Sequence, residues 1–467
     1  MRTCLDQLAI KADRMGASNI ALQTPFCRGK RTASRHGHRV MVLFLAFLAI
    51  VLAACSSTGT PSTTPPTSAT SSGTSDEGPS SPGLTANSVT VGQVDDLSSP
   101  EPAPFISARD GTKAYFAYIN SLGGVNGRKL ILDSEDSTFQ GGVVASETGA
   151  EIRNDFALVG GFSILDSAEQ PLIDLAHIPD IALPLAAGMA KDPNIYSTLP
   201  NTVVETPLGF FKYLRSTYPK AVKKVGIIWE NATPATVDIE DAYESGMRSV
   251  GFRIVYDHGA GIFDTNFLPD IIDMRAAGVR MFIGLELPDN FTATLDQQMQ
   301  QQHFTPINIE GEAYSNQLLK LAGSAANGMY IYQDYALYLG GDAKTVPAVK
   351  LFVTWMKEVD PRATFAVEAI YGWTSAELFV DALKRAGNPP TRAKLVEALN
   401  KVTSFNSGGL IPLSDPAQNI PTNCFVLAQV ENGQIKRVSP TPATGFDCPA
   451  GGYLPASGYK PMVRPTS

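Results

Sequence analysis

Short runs of β-branched residues alternate with amphipathic stretches from Ser88 onward, and this alternation restricts the chain to few architectures. One run follows the next after about 20 to 40 residues, which is the length of a βαβ unit. Such units align strands in parallel and cover both faces of the sheet with helices. The sequence therefore predicts an α/β fold. The candidate strands are Val89–Val94, Lys129–Leu132, Phe156–Val159, Ile181–Leu183, Lys224–Trp229, Phe252–Tyr256, Arg280–Ile283, Ile307–Ile309 and Met329–Ile331.

The candidate strands form two series, which a break at Ile195–Pro200 separates. Beyond Met329 the pattern becomes helical, and Cys424–Val438 is typical of a hairpin around Asn432-Gly433. We expect two Rossmann-like lobes with parallel sheets, joined by hinge crossovers. The first lobe comprises residues 88–204 and 334–410, the second residues 205–333 and 411–440, and residues 441–467 form a C-terminal tail. Strand carboxyl ends and helix amino ends then face a cleft in which a ligand binds.

The N-terminal part of the chain is typical of an export signal. Residues 40–54 are fifteen consecutive apolar residues, fewer than the roughly 20 that a membrane-spanning helix requires. Five of the twelve residues from Arg28 to Arg39 are basic, as expected ahead of the apolar segment of a signal peptide. Leu52-Ala53-Ala54-Cys55 then resembles the cleavage motif of bacterial lipoproteins, which implies that the Cys55 sulfur carries a lipid. The alternative is an ordinary secretory signal or a short membrane anchor with an incidental cysteine.

Residues 56–82 form a linker that we expect to be disordered. All but three of its 27 residues are Ser, Thr, Pro or Gly, so the segment cannot bury enough apolar surface to offset the entropy of ordering. We therefore assign residues 1–54 to the signal region and residues 55–87 to the lipidated cysteine and its linker.

The exported part of the chain is acidic. After residue 54 it carries 29 basic and 43 acidic side chains, whereas nucleic-acid binding requires clustered positive charge. Its cysteines other than Cys55 are Cys424 and Cys448, and an oxidising compartment favours their pairing as a disulfide. Two free buried thiols are the alternative. The histidines of this part lie far apart in sequence, so we expect no metal site.

The most specific motif of the chain lies in Gly111–Leu130. It reads GTKAYFAYINSLGGVNGRKL and precedes the acidic cluster Asp133–Asp136. The paired glycines end a helix, and the Asn-Gly pair favours a tight turn before the next strand. This order resembles the first βαβ unit of the type I periplasmic binding proteins, and more closely that of their branched-chain amino-acid (leucine/isoleucine/valine) receptors. The resemblance extends from Ser88 to about Val438.

The resemblance implies a lipid-anchored receptor on the outer face of the cell membrane. Such a receptor closes around a small amino acid, amide or carboxylate and presents it to the permease subunits of an ABC importer. We expect a monomer that needs no cofactor. The chain contains no G-x-S-x-G, H-E-x-x-H or phosphate-loop motif, so we expect no enzyme. The alternatives are a surface sensor that regulates a partner protein without transport, and a cell-surface hydrolase on the same scaffold.

The resemblance also implies where a ligand carboxylate is held. In the family, Ser and Thr hydroxyls and backbone N–H groups after two first-lobe strands hold it. Ser163 corresponds to the first hydroxyl, and its alternative role is that of a helix cap. In the second loop the family's Ser-Pro-Ala-Ala-Thr becomes Leu-Pro-Leu-Ala-Ala. The Thr hydroxyl is therefore missing, and the backbone N–H groups of Ala186 and Ala187 remain as donors.

Three further residues correspond to positions that meet the rest of a ligand. Glu310 ends a second-lobe strand where a carboxylate meets the ligand ammonium; the alternative is a solvated loop acid. Phe105 lies in the first loop, near an aromatic position of the family. Glu286 replaces a residue that is often Tyr, which indicates a more polar ligand or one that carries its own cation.

Overall fold

The structure is a computed structural model that describes residues 81–98, 105–200, 203–261, 263–311, 314–362, 365–440, 445–456, 460 and 462–464. The predicted signal region, Cys55 and the linker up to residue 80 lie outside these residues. The described part contains two sheets and a two-stranded ribbon, with helices packed against them. Within it, no helix combines the length and the apolar character needed to cross a membrane.

The first sheet has five parallel strands in the order β2-β1-β3-β4-β5. Helices connect successive strands, as the predicted βαβ pattern requires. After the first helix, the glycines at 123, 124 and 127 and Asn126 have positive φ, which explains why the turn motif has glycine or asparagine there. The elements are β1 (Ser88–Asp95), α1 (Phe105–Ser121), β2 (Lys129–Asp136), α2 (Gly141–Asn154), β3 (Leu158–Val159), α3 (Gln170–Ala176), β4 (Asp180–Ile181), α4 (Ala187–Ala190) and β5 (Ile195–Tyr196).

The second sheet has seven strands in the order β13-β12-β11-β10-β9-β7-β8. Strands β7 to β11 are parallel, whereas β12 and β13 form an antiparallel hairpin added at one edge. A separate antiparallel ribbon pairs β6 with β14. These strands and the helices between them are β6 (Glu205–Pro207), α5 (Gly209–Thr217), β7 (Val225–Glu230), α6 (Pro234–Ser249), β8 (Ile254–Ala260), α7 (Leu268–Ala277), β9 (Met281–Leu285), α8 (Asp289–Gln301), β10 (Ile307–Glu310), α9 (Asn316–Ala322), β11 (Tyr330–Gln333), β12 (Val426–Glu431), β13 (Gln434–Ser439) and β14 (Tyr453–Pro455).

Four helices lie between β11 and β12 and return the chain to the first sheet. They are α10 (Asp342–Thr345), α11 (Pro347–Val359), α12 (Glu368–Arg385) and α13 (Arg392–Leu399). Helix α12 packs on α1 and on β3 and β4, and α11 also packs on α1. Their buried aromatic and aliphatic side chains join one hydrophobic core, in which Trp373 lies edge-on to Tyr115 and Phe352.

Helices α1 and α12 cross where each has a glycine, Gly111 and Gly372. A Cβ at either position would meet the backbone of the opposite helix, and the Thr112 hydroxyl donates to the Gly372 carbonyl at 3.2 Å. The absence of side chains at Gly111 and Gly372 therefore allows the two helices to pack at this short separation. The amino ends of these helices, Phe105 and Glu368, consequently lie near each other.

The predicted α/β class and the parallel sheets are confirmed. The structure differs from the sequence prediction at Ile195-Tyr196, which were placed in a break but form the edge strand β5. Two residues give no periodic signal, and they are strand only because β4 offers its edge.

Candidate functional site

A cavity of about 180 Å³ lies where the carboxyl ends of strands from both sheets meet. Its lining comes from the segments after β3 and β4 of the first sheet and after β7, β9, β10 and β11 of the second. The amino ends of α6, α8 and α12 also reach it. Strand carboxyl ends and helix amino ends are where ligands bind in open α/β sheets. This position makes the cavity the candidate site.

Aromatic rings form opposite walls of the cavity. On the first-sheet side, Phe162 lies between Phe105 and Tyr371, with ring centroids 5.5 and 5.6 Å apart. On the second-sheet side, Phe210 stacks on Tyr332 at 4.0 Å. Aliphatic side chains fill most of the remaining lining, so the cavity favours an apolar ligand body. They are Ile164, Leu183, Leu185, Leu199, Ala235, Ile239, Ile283, Leu285, Leu287 and Ile309.

Five carboxyl groups are among the polar side chains that line the cavity. Four of them are Glu286, Asp289, Asp334 and Glu368, and Glu230 is the fifth. Among the described residues that line the cavity there is no Lys, Arg or His. The lining is therefore rich in acidic groups without a basic side chain among these residues, and it also includes the hydroxyl and amide groups of Thr236, Gln333 and Thr422.

Burial controls the protonation of these carboxyls. It raises the pKa of Glu286 to about 7 and that of Asp334 to about 6. Burial also raises the pKa of Glu368 to about 8, and repulsion from Asp289 and Glu286 adds to that rise. Because Glu368 begins α12 whereas Glu286 and Asp289 follow β9, like charges from the two sides of the cavity repel each other. A cation or an N–H donor between them would remove this repulsion.

Local structure holds the carboxyls in place. The Ser107 hydroxyl donates to Glu368 Oε2 at 3.2 Å, and the Ser315 hydroxyl donates to Asp289 Oδ2. Asp289 and Glu368 stand in the first turns of α8 and α12, where the helix dipole favours negative charge. Glu286 has a φ of 54°, a left-handed conformation that a non-glycine residue rarely adopts and that is enriched at functional sites.

Two of the six residues predicted to contact a ligand, Phe105 and Glu286, line the cavity. Ser163 does not, because its hydroxyl donates to Asp96 Oδ2 at 2.8 Å and accepts from the Leu165 N–H at 3.0 Å. The hydrogen bond from the Leu165 N–H to the Ser163 hydroxyl is a capping contact, and a helix cap is the alternative role predicted for Ser163. The predicted role of Ser163 as a donor to a ligand thus has no support in the geometry.

Ala186, Ala187 and Glu310 also lie outside the cavity lining. The Ala186 N–H donates to Asp166 Oδ2 at 3.1 Å, and the Leu185 N–H donates to the same carboxyl at 2.6 Å. An internal carboxylate thus engages the Ala186 N–H, one of the two backbone donors expected to hold a ligand carboxylate. Glu310 is buried, and both burial and repulsion from Asp296 raise its pKa well above the usual range.

Sequence reasoning missed Tyr332, Asp334, Asp289 and Glu368. Tyr332 lies in β11 and Asp334 directly follows that strand. Asp289 and Glu368 are the first residues of helices. Position after a predicted strand was the available signal for Asp334. No comparable signal marks Glu368 in the sequence, because its hydrogen-bond partner Ser107 is far away in the chain.

The predicted disulfide between Cys424 and Cys448 is present in the structure, next to the segment that contributes Pro421 and Thr422 to the cavity.

A family model described as "Periplasmic binding protein" matches residues 88–434. Comparison with curated protein sequences found no match. Solved structures share the fold at low identity. A fatty acid ABC transporter substrate-binding protein from Thermomonospora curvata is 18% identical, with a TM-score of 0.65 over 81% of this chain and 95% of that one.

Two further structures have ligands named in their descriptions. A branched chain amino acid ABC transporter protein from Thermus thermophilus with bound valine is 15% identical, with a TM-score of 0.66 over 79% of this chain and 98% of that one. A branched-chain amino acid transporter substrate binding protein from Streptococcus pneumoniae in complex with isoleucine is 15% identical, with a TM-score of 0.63 over 78% and 100%. These identities establish a shared fold, which agrees with the resemblance seen in the sequence.

Proposed function

This chain belongs to the periplasmic binding protein family, and from that premise we propose that it delivers an apolar amine or amide to an ABC importer. It is a solute-binding protein and not an enzyme. The observation that carries the proposed ligand class is the cavity itself, with aromatic walls and five carboxyl side chains but no basic side chain among its described lining residues.

The predicted carboxylate ligands are the least favoured of the three predicted classes. A free carboxylate would face Glu286, Asp289 and Glu368. At a pH above the raised pKa values, about 7 for Glu286 and about 8 for Glu368, these groups are ionised, and like charges at short range in a desolvated site repel strongly. An ammonium or amide N–H would donate to the same groups, and such charge-assisted bonds are among the strongest polar contacts. A cationic ligand also agrees with Glu286, which stands where the family often has Tyr.

An α-amino acid is less favoured than an amine or amide with the same side chain. Its carboxylate needs donors, and two of the three expected in the first-sheet loops, the Ser163 hydroxyl and the Ala186 N–H, are engaged by Asp96 and Asp166. The valine and isoleucine in the solved relatives and the fatty acid in the name of the third share an apolar part with the proposed ligand. They differ from it in carrying a carboxylate.

A ligand in this cavity contacts groups on both sheets at once. Phe105 and Glu368 would hold it from one side, and Tyr332 and Glu286 from the other. We expect the two sides to close by a hinge motion, because a ligand stabilises whichever arrangement gives it more contacts. The closed form would then engage the permease.

The anchoring of the chain is part of the proposal. Members of its family act outside the cytoplasm, and we propose that this chain acts there as a monomer held to the membrane by a lipid on Cys55. The basic flank, the apolar run of residues 40–54 and the position of Cys55 support this. One acyl chain binds membranes only marginally, so more than one chain is expected on a stable anchor.

Calorimetric titration with four molecules of one skeleton tests the ligand class. Leucinamide and isoamylamine are expected to bind at least about tenfold more tightly than 4-methylpentanoate, which is about 1.4 kcal/mol. Leucine is expected to fall between them. Octylamine and octanoate repeat the comparison with a longer apolar body. Tighter binding of 4-methylpentanoate or octanoate than of the matching amine would overturn the proposed class.

Paired variants locate the binding. Glu368→Gln removes a group that is ionised above its raised pKa of about 8. At such a pH the variant is expected to bind isoamylamine more weakly and to reduce the disadvantage of 4-methylpentanoate. Glu397→Gln is the matched control, since Glu397 is exposed and paired with Lys401 at 2.6 Å, away from the cavity. Equal effects of the two variants would show that the amine binds elsewhere.

A further inference from the structure

Three acidic side chains converge outside the ligand cavity. Glu240 and Glu244 lie one turn apart on α6, and Asp257 lies on the neighbouring strand β8. One carboxylate oxygen of each lies within 4.8 Å of the other two. Calcium binds oxygen at about 2.3–2.6 Å, so two oxygens on one ion can be about 5 Å apart. The spacing therefore allows all three to share an ion.

Burial of Glu240 provides an independent indication of a ligand. This side chain is only 6% exposed, and its Oε1 has no hydrogen-bond partner among the described residues. A buried acceptor without a partner is destabilising, and more so when it is charged. Burial raises the pKa of Glu240 to about 8, and repulsion from Asp257 and Glu244 contributes. A cation would satisfy the oxygen and relieve the repulsion.

The remaining contacts of the cluster leave room for a cation. The Trp229 indole N–H donates to Asp257 Oδ1 at 2.9 Å, and the guanidinium of Arg248 pairs with Glu244 Oε1. The Arg248 side chain is half exposed, so it can turn into solvent when a divalent ion replaces it. The three ligating groups offer only carboxylate oxygens, which suit Ca²⁺, Mg²⁺ or Mn²⁺ better than zinc or copper.

We propose that Glu240, Glu244 and Asp257 form a calcium site that fastens α6 to β8. Three carboxylates and solvent water satisfy the flexible, oxygen-rich coordination of Ca²⁺, whereas Mg²⁺ demands stricter octahedral geometry. The site is built on the helix that also contributes Ala235, Thr236, Ile239 and Tyr243 to the lining of the ligand cavity. It is separate from the proposed transport ligand, and neither proposal depends on the other.

Terbium, a luminescent stand-in for Ca²⁺, provides the direct test because Trp229 lies beside the site. In chelator-treated exported chain, excitation of tryptophan is expected to sensitise Tb³⁺ emission, and added Ca²⁺ is expected to suppress it. Calorimetry with CaCl₂ is expected to give a Kd of about 10⁻⁴ to 10⁻³ M, as in extracellular calcium modules. Absence of both signals in the unmodified chain would refute the site.

Variants distinguish this site from other acidic surfaces. Glu240→Gln and Asp257→Asn are each expected to weaken Ca²⁺ binding at least about tenfold; Asp257 is exposed, so its substitution leaves the core intact. Asp238→Asn, an exposed change on the same helix, is the matched control and is expected to bind Ca²⁺ as before. Trp229→Phe is expected to abolish sensitised emission while Ca²⁺ binding persists. Ca²⁺ binding that survives both Glu240→Gln and Asp257→Asn would place the ion elsewhere and overturn the proposal.

Discussion

Replacement of Gly372 by alanine tests the helix crossing that positions the candidate site. A Cβ at this position would lie 2.8 Å from the Ala108 carbonyl carbon and 2.9 Å from Thr112 Oγ1. Non-bonded carbon atoms pack at about 3.5–4.0 Å. Because the Ala108 carbonyl is part of the backbone of α1, no side-chain rotation relieves the clash, and α1 and α12 must separate by roughly 1 Å.

One stabilising and two destabilising contributions determine the change in the free energy of unfolding. Alanine is a better helix former than glycine by about 1 kcal/mol. Overpacking in a well-filled core is destabilising by about 1–3 kcal/mol. Separation of the helices also weakens the Thr112–Gly372 hydrogen bond, which contributes about 1 kcal/mol. We therefore expect Gly372→Ala to lower the free energy of unfolding by about 1–3 kcal/mol.

Gly149→Ala is the matched control, since Gly149 also lies inside a helix, α2. A Cβ there would have its nearest neighbour, the Arg153 guanidinium, at 3.6 Å. The same substitution is therefore expected to stabilise the fold by about 0.5–1 kcal/mol. Urea unfolding of the exported chain measures both variants. If Gly372→Ala is as stable as the unmodified chain while Gly149→Ala gains stability, the crossing is wider than described and the reasoning fails.

Substitutions at three further positions test burial, the C-terminal segment and the anchor. Burial raises the pKa of Glu151 from 4.5 to about 9, so the native state holds a proton that the unfolded chain releases. The stability from this group is complete below pH 4.5 and is lost as the pH rises to about 9; Glu151→Gln should flatten the loss measured by urea unfolding between pH 5 and 8.5, and an unchanged slope would contradict it. The Arg464 guanidinium donates to four backbone carbonyls and lies 4.1 Å from the centre of the Tyr196 ring. Arg464→Ala should lower stability by about 2–3 kcal/mol and Arg464→Lys by less; unaltered melting temperatures would show that the segment is dispensable. Cys55→Ser should abolish palmitate labelling and release the chain from the membrane fraction, whereas retained labelling would exclude Cys55 as the lipid site.

The sequence predicts those parts of the fold that have a local cause. Strands β7, β9 and β10 lie within one or two residues of their predicted bounds, because each contains apolar residues that pack in a hydrophobic core. The hairpin is confirmed, since Asn432 and Gly433 both have the positive φ that a two-residue turn of this type requires. The edge strand β5 was missed, because two residues become a strand only through pairing with β4.

The site is harder to predict because distant parts of the chain assemble it. Ser163 is a reasonable ligand donor in its own loop, but Asp96, 67 residues earlier, accepts its hydrogen bond. Glu368 reaches the cavity because α12 crosses α1, and its partner Ser107 is 261 residues away. Phe105 and Glu286 were found because they lie at the ends of elements, Phe105 at the start of α1 and Glu286 directly after β9. The sequence thus shows which residues lie near the end of a strand. It does not show that a distant acceptor within the protein, such as Asp96, engages the donor that a ligand would need.

A substitution at Asp166 distinguishes two reasons why the protein should bind a ligand carboxylate weakly. The Asp166 carboxylate accepts hydrogen bonds from the Leu185 and Ala186 N–H groups, and as a tethered group it competes with a free ligand at an effective concentration of about millimolar or more. The cavity carboxyls, Glu368 among them, act independently by repulsion at a pH at which they are ionised. Asp166→Ala removes only the competition and leaves both N–H groups unpaired. If competition dominates, 4-methylpentanoate should bind this variant at least about tenfold more tightly while isoamylamine is unaffected. If calorimetry shows no gain for the carboxylate, repulsion within the cavity is the sufficient cause, and a ligand carboxylate has no place near Ala186 even when the donors are free.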